Sequence, residues 1–149
     1  MLHKRLKLVG YVRLGDTSAS GLEQLNAIRG YCRAHRQECI TVCTDDGAPG
    51  FGLARALRQM KNFDGLITFD ATRLVDNQSD TYRSLRPLIE STFMHGHKKF
   101  ISIADGLENI TPAGQEALIS ALNEWSRTQQ YPTPKYDRSN HEYLVQNQP

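Results

Sequence analysis

The sequence predicts an α/β domain: a three-layer arrangement in which a mainly parallel sheet of four to five strands is flanked by helices. Short apolar, β-rich runs alternate along the chain with longer segments whose apolar residues recur every three or four positions. That alternation implies right-handed crossovers between parallel strands. A length of 149 residues, with 39% hydrophobic and 23% charged residues, suits one core and leaves no room for a second full domain.

Residues 6 to 14 bring Leu8, Val9, Tyr11 and Val12 close together, as in a strand covered on both faces. From Gly21 to about Arg36 the apolar residues Leu22, Leu25, Ile28 and Cys32 fall on one helical stripe, with Ser20 placed to cap it. CITVCT (39–44) reads as the second strand, and the glycine-rich DDGAPGFG after it as a loop. Leu53, Leu57 and Met60 mark a short second helix, and GLITF (65–69) a buried third strand. A third helix is expected over 79–95 with Leu85, Leu88, Ile89 and Phe93 inward, followed by a fourth strand, KFISIA (99–104). Pro112 suits a first helical turn, and Leu118, Ala121, Leu122 and Trp125 form the stripe of a fourth helix. The domain is expected to span 1–127. The remainder, 128–149, holds three of the six prolines, three of the six tyrosines and four glutamines without periodicity, and reads as an irregular tail. Its Tyr131, Tyr136, Tyr143, Leu144 and Val145 could also dock as an extended peptide.

The net charge of +2 excludes a strong global field toward nucleic acid or anionic lipid, so any nucleic-acid contact has to be local. No run is long and apolar enough to span a membrane, and the first ten residues do not make a signal peptide. A cytoplasmic protein with no membrane association is expected. Cys32, Cys39 and Cys43 are an odd number without a CxxC pair, which argues for reduced thiols. Cys39 and Cys43 sit four residues apart on one strand, about 13 Å at strand rise, too far to share a metal. His95 and His97 form an HxH pair with no third ligand close in sequence. No cofactor and no metal is expected.

In a parallel sheet, ligands gather beyond the carboxyl ends of the strands. Arg13, Asp45 to Gly52, Asp70 to Asp76, and Asp105 with Gly106 follow the four strands, and Arg55 lies near the start of the second helix. Arg13, Arg55 and Arg73 converging there would make an anion site suited to phosphate. The alternative is that they are solvated surface charges. The glycines of GAPGFG match neither a P-loop nor the dinucleotide fingerprint.

Several segments together resemble the catalytic domain of the serine recombinases, the resolvase and invertase family. They are GYVR (10–13), Gln24 eleven residues after Arg13, TDDGAPG (44–50), RALRQM (55–60), TRL (72–74), and DGLENITPAG (105–114) followed by a helix containing Glu124. They run in the family's order and spacing over about residues 6 to 125. The resemblance implies a resolvase-like fold and a chemistry in which a serine hydroxyl attacks a DNA phosphodiester while arginines offset the developing charge. Arg13, Asp45, Arg55 and Arg73 match the family's phosphate-contacting positions.

Several positions depart from the pattern, Gly15, Pro49, Thr72 and Asp76 among them. The family's Tyr-x-Arg-x-Ser becomes Tyr11, Val12, Arg13, Leu14, Gly15, so a glycine stands at the nucleophile position. The Asp-Arg-Leu-Gly-Arg stretch becomes Thr72, Arg73, Leu74, Val75, Asp76, and a loop serine expected before Gly50 is Pro49. An anion for a cation at residue 76, about 5 Å from a phosphate at an effective dielectric of 20, would swing the interaction by ~6 kcal/mol. Ser18 and Ser20 are the substitute hydroxyls within reach of the first strand, but the unshifted Arg13-to-Gln24 spacing argues against the slip they would need. The DNA-reading module that follows this domain in the family has no counterpart in 128–149.

The leading expectation is a catalytically inactive recombinase-like protein that works by association, with its own copies or a protein partner, in regulation linked to DNA weakly or indirectly. Two other readings stay open: an active site-specific recombinase with an altered site, and an anion- or nucleotide-binding α/β domain.

Overall fold

The computed structural model describes residues 5–15, 19–75 and 81–128. Strands β1 (Lys7–Leu14), β2 (Glu38–Asp46), β3 (Gly65–Thr68), β4 (Lys99–Ser102) and the two-residue β5 (Leu107–Glu108) form one sheet in the order β2-β1-β3-β4-β5. The first four are parallel, and β5 runs antiparallel to β4. Helices α1 (Gly21–Ala34), α2 (Phe51–Met60), α3 (Thr81–Ile89) and α4 (Pro112–Thr128) complete the α/β architecture.

Side-chain alternation along the strands divides the core into two layers. Val9, Tyr11, Cys43, Leu66 and Phe100 meet Ala56 and Met60 of α2, Leu85 and Ile89 of α3, and Leu118, Leu122 and Trp125 of α4. Their neighbours Leu8, Val12, Ile67 and Ile101 face the other way and meet Ile28 and Cys32 of α1. β1 is therefore buried on both faces, as its composition predicts. Strand order reverses between β1 and β3, because the chain leaves β1 toward β2 and later returns past it. The crevice at that reversal, beyond the carboxyl ends of β1 and β3, is where such sheets open to ligands.

Ser20 caps α1 as expected, accepting from Glu23 N at 3.1 Å. Leu22, expected inward, is instead 66% exposed. Gln24 lies about 200° further around the helix, is fully buried, and takes the interior place because the main chain of Arg13 needs its amide. β2 runs two residues past its expected end, since Asp45 and Asp46 pair with Arg13 and Leu14, so both aspartates belong to the strand rather than the loop.

The segment after β4 also holds more order than a loop. Asn109 bonds to Phe100 N at 2.6 Å and to Lys98 O at 3.0 Å, satisfying the edge of β4 and setting up β5. Thr111 caps α4 through Gly114 N at 2.9 Å, with Pro112 as its first residue. α3 ends earlier than predicted. Pro87 cannot donate a hydrogen bond, and Ser91 Oγ donates to its carbonyl at 2.7 Å. The helix then widens into a π-turn over Glu90–Met94, closed by His95 N on Glu90 O at 2.8 Å.

Asp76, Ser18 and residues 129–149, which carry the expected tail, lie outside the described residues. Among the described residues no helix is long and apolar enough to cross a membrane.

Candidate functional site

The carboxyl rim of β1 is built around Arg13. Its backbone is held from one side by Gln24, which accepts from Arg13 N at 3.1 Å and donates to Arg13 O at 2.5 Å. Its side chain is buried, 5% exposed. Nε donates to Gly47 O at 2.7 Å, and Nη1 donates to Val75 O at 2.8 Å and Thr72 O at 3.4 Å. One guanidinium thus ties the exits of β1, β2 and β3 together in the crevice where strand order reverses. These bonds draw on donors that an anion would otherwise use.

Arg73 sits in the 3-10 turn Ala71–Leu74 and is buried as well. Its Nη2 lies 3.4 Å from Asp70 Oδ2, and its guanidinium stacks 5.4 Å from the Phe69 ring centre. Thr72 donates its hydroxyl to the other oxygen of Asp70. Asp105 completes this corner, accepting from Ser102 Oγ at 2.5 Å and Ala71 N at 3.0 Å. Asp70, paired with Arg73, and Asp105, bonded to the first amide of the turn, make the group a buried polar network.

Asp45 plays a different part. It accepts from Tyr11 Oη at 2.8 Å, Gly50 N at 2.9 Å, Gly52 N at 2.7 Å and Leu53 N at 2.8 Å. It therefore serves the first turn of α2 as a cap from outside the helix. Burial alone would raise its pKa; the N–H of Gly50, the Tyr11 hydroxyl and the N–H groups of Gly52 and Leu53 outweigh that, and the net shift is downward from 3.8. Burial, then the bond to Asp45, pushes the Tyr11 phenol far above its ordinary range, so it stays a donor. Gly52 is needed here, because a Cβ would collide with the carbonyl of Thr44.

Arg55 is exposed and borders a cleft of about 430 Å³ together with Asp45, Phe51 and the β2 residues Val42 to Thr44. Of the three arginines, the structure brings Arg13 and the Arg73 turn into contact and leaves Arg55 at the surface. Gly15 closes β1 with φ +96, and a Cβ there would stand 3.3 Å from Asp46 Oδ1. Pro49 is half-buried in the loop before α2. His95 and His97 lie at the turn after the π-helical segment, and no group of three potential metal ligands occurs among the described residues.

No family model and no curated protein matches the chain. Solved structures do. The N-terminal catalytic domain of TP901-1 integrase superposes with a TM-score of 0.64 at 24% identity, covering 84% of this chain and 99% of that one. The C-terminal catalytic domain of ISC1926 TnpA, an IS607-like serine recombinase, gives a TM-score of 0.52 at 17% identity, covering 95% of this chain and 94% of that one. The fold is that of a serine recombinase catalytic domain.

On this serine recombinase fold, Arg13 and Arg73 are inner, bonded residues, Asp45 is a helix cap, and Arg55 is the exposed cation. Sequence reasoning places Gln24 in the family-like motif and Asp70 and Asp105 after their strands, but gives none of the three a role at the site. Gln24 carried a usable signal, a polar residue four positions before Ile28 on an otherwise apolar helix face. Asp70 and Asp105 carried only their places after strands.

Proposed function

We propose that this chain is a catalytically inactive serine-recombinase-like protein that acts by association, with its own copies or a protein partner, in a regulatory role linked to DNA. The observation that carries this reading is Gly15, the position that the resemblance gives to the attacking serine. Nucleophilic catalysis of strand breakage requires an oxygen there, and glycine has none. The left-handed backbone at φ +96 adds support, since side chains other than hydrogen rarely adopt it. Ser20, one substitute hydroxyl, is engaged as the cap of α1. The interior bonding of Arg13 and Arg73 is also consistent with arginines that serve the fold.

Incubation with supercoiled plasmid, followed by denaturing electrophoresis, is the direct test. Neither nicking nor a covalent protein–DNA band is expected. A covalent adduct that maps to a serine of this chain would overturn the proposal.

A further inference from the structure

The solvent face of α2 is built like the centre of a protein interface. Phe51, at its first position, is 95% exposed, although a phenylalanine on a folded surface is ordinarily tucked against something. Arg55 and Arg58 follow four and seven residues on, so the three share one stripe, and Ala54 and Lys61 flank it; all are exposed. The opposite arc, Gly52, Leu53, Ala56 and Met60, is buried in the core. α2 carries no acidic residue, and among the described residues neither Arg55 nor Arg58 is ion-paired. Beside Phe51 the cleft of about 430 Å³ offers apolar wall from Val42 and Cys43.

An aromatic anchor, adjacent arginines and a neighbouring pocket are the features over-represented where one protein grips another. The charge selects the partner's sign. One aspartate, Asp45, stands in the cleft's own lining. A continuous phosphate backbone crossing the cleft would run against that carboxylate, whereas a peptide can set its carboxylates along the arginine stripe and its apolar residue in the cleft. The net charge of +2 likewise supplies no long-range attraction for a polyanion.

We infer that Phe51, Arg55 and Arg58 form a docking surface for an acidic segment of another protein. That segment places one large apolar side chain against Phe51 and Val42 and two or more carboxylates on the arginines. The inference does not depend on whether the chain cleaves DNA, and it can fail while the catalytic reading stands.

The test is selection from a phage-displayed library of random twelve-residue peptides on the full chain. Enriched peptides are expected to be net negative with a Leu, Phe, Trp or Met among the acids. As synthetic fluorescent peptides they should bind at least tenfold more weakly to Phe51→Ala and to the double variant Arg55→Glu with Arg58→Glu. Affinity should also fall as salt is raised. Both variants change exposed side chains, and unchanged melting temperatures would verify that they are folded. Failure to enrich any acidic peptide, or binding indifferent to both variants, would overturn the inference. So would displacement of the peptides by a single-stranded oligothymidine at lower concentration, which would make the surface a nucleic-acid site. A concentration-dependent dimer in light scattering that Phe51→Ala abolishes would overturn it in favour of a second copy.

Discussion

A serine introduced at residue 15 would inherit a backbone that glycine alone adopts freely, with its Cβ 3.3 Å from Asp46 Oδ1 and 3.4 Å from Gly47 N. Restoring the hydroxyl therefore does not restore the geometry. Gly15→Ser is expected to remain unable to form a covalent DNA adduct and to lose about 1–2 kcal/mol of stability, read from the urea midpoint. An active Gly15→Ser variant would show instead that residue 15 relaxes readily. Which residues stand at the rim was legible in the sequence, because Arg13, Asp45 and Arg73 follow or end apolar runs. What each one bonds was not. The partners of the Arg13 side chain lie 34 to 62 positions away, and no local pattern encodes a contact of that span.

Among the elements, α1 and α2 are each fastened to the sheet by one polar side chain. Gln24 is fully buried and supplies both bonds to the main chain of Arg13, so Gln24→Leu would leave a buried N–H and C=O unmatched. The expected loss is about 2–4 kcal/mol, measured by chemical denaturation. At α2, Asp45 holds the amide of the N-cap Gly50 and two amides of the first turn. Its pKa is lower in the folded chain than the ordinary 3.8. Its contribution is therefore complete above that value and disappears as pH falls through the folded pKa. Asp45→Asn should cost about 1 kcal/mol near neutrality and flatten the fall in melting temperature at acid pH relative to the wild type. The helices and the parallel strands were readable from apolar spacing. β5 was not, because a two-residue strand has no periodicity and depends on Asn109 occupying the edge of β4. Nor was Leu22's exposure, since a stripe that counts only apolar residues passes over an interior glutamine.

At the scale of the whole molecule, the two-layer core shelters the thiols. Burial, and secondarily the neighbouring Cys39, pushes Cys32 up to about 12, and burial raises Cys39 and Cys43 as well. Native protein at mildly alkaline pH should react slowly with a disulfide reagent and rapidly once denatured, because only the thiolate attacks. A Cys whose folded pKa is raised favours the folded state fully below its ordinary 9.0, and that advantage is lost as pH climbs toward the folded value. Denaturant midpoints should accordingly decline above about pH 9, and a Cys32→Ser variant should show a shallower decline. The overall α/β architecture was predictable because alternating strand and helix lengths leave few packings. The closed state of the rim was not, since it depends on which loops fold onto Arg13.

The terminal position of β2 has one more consequence. Among the described residues its outer row of main-chain groups has no neighbour in the sheet, yet the strand starts at Glu38 and ends at Asp45 and Asp46. Two molecules meeting edge to edge in antiparallel fashion would lay the carboxylate of one beside those of the other, at both ends of the shared ladder. Such a strand guards itself against ribbon and fibril growth by electrostatic repulsion, so crowding the protein in solution need not nucleate amyloid from this edge.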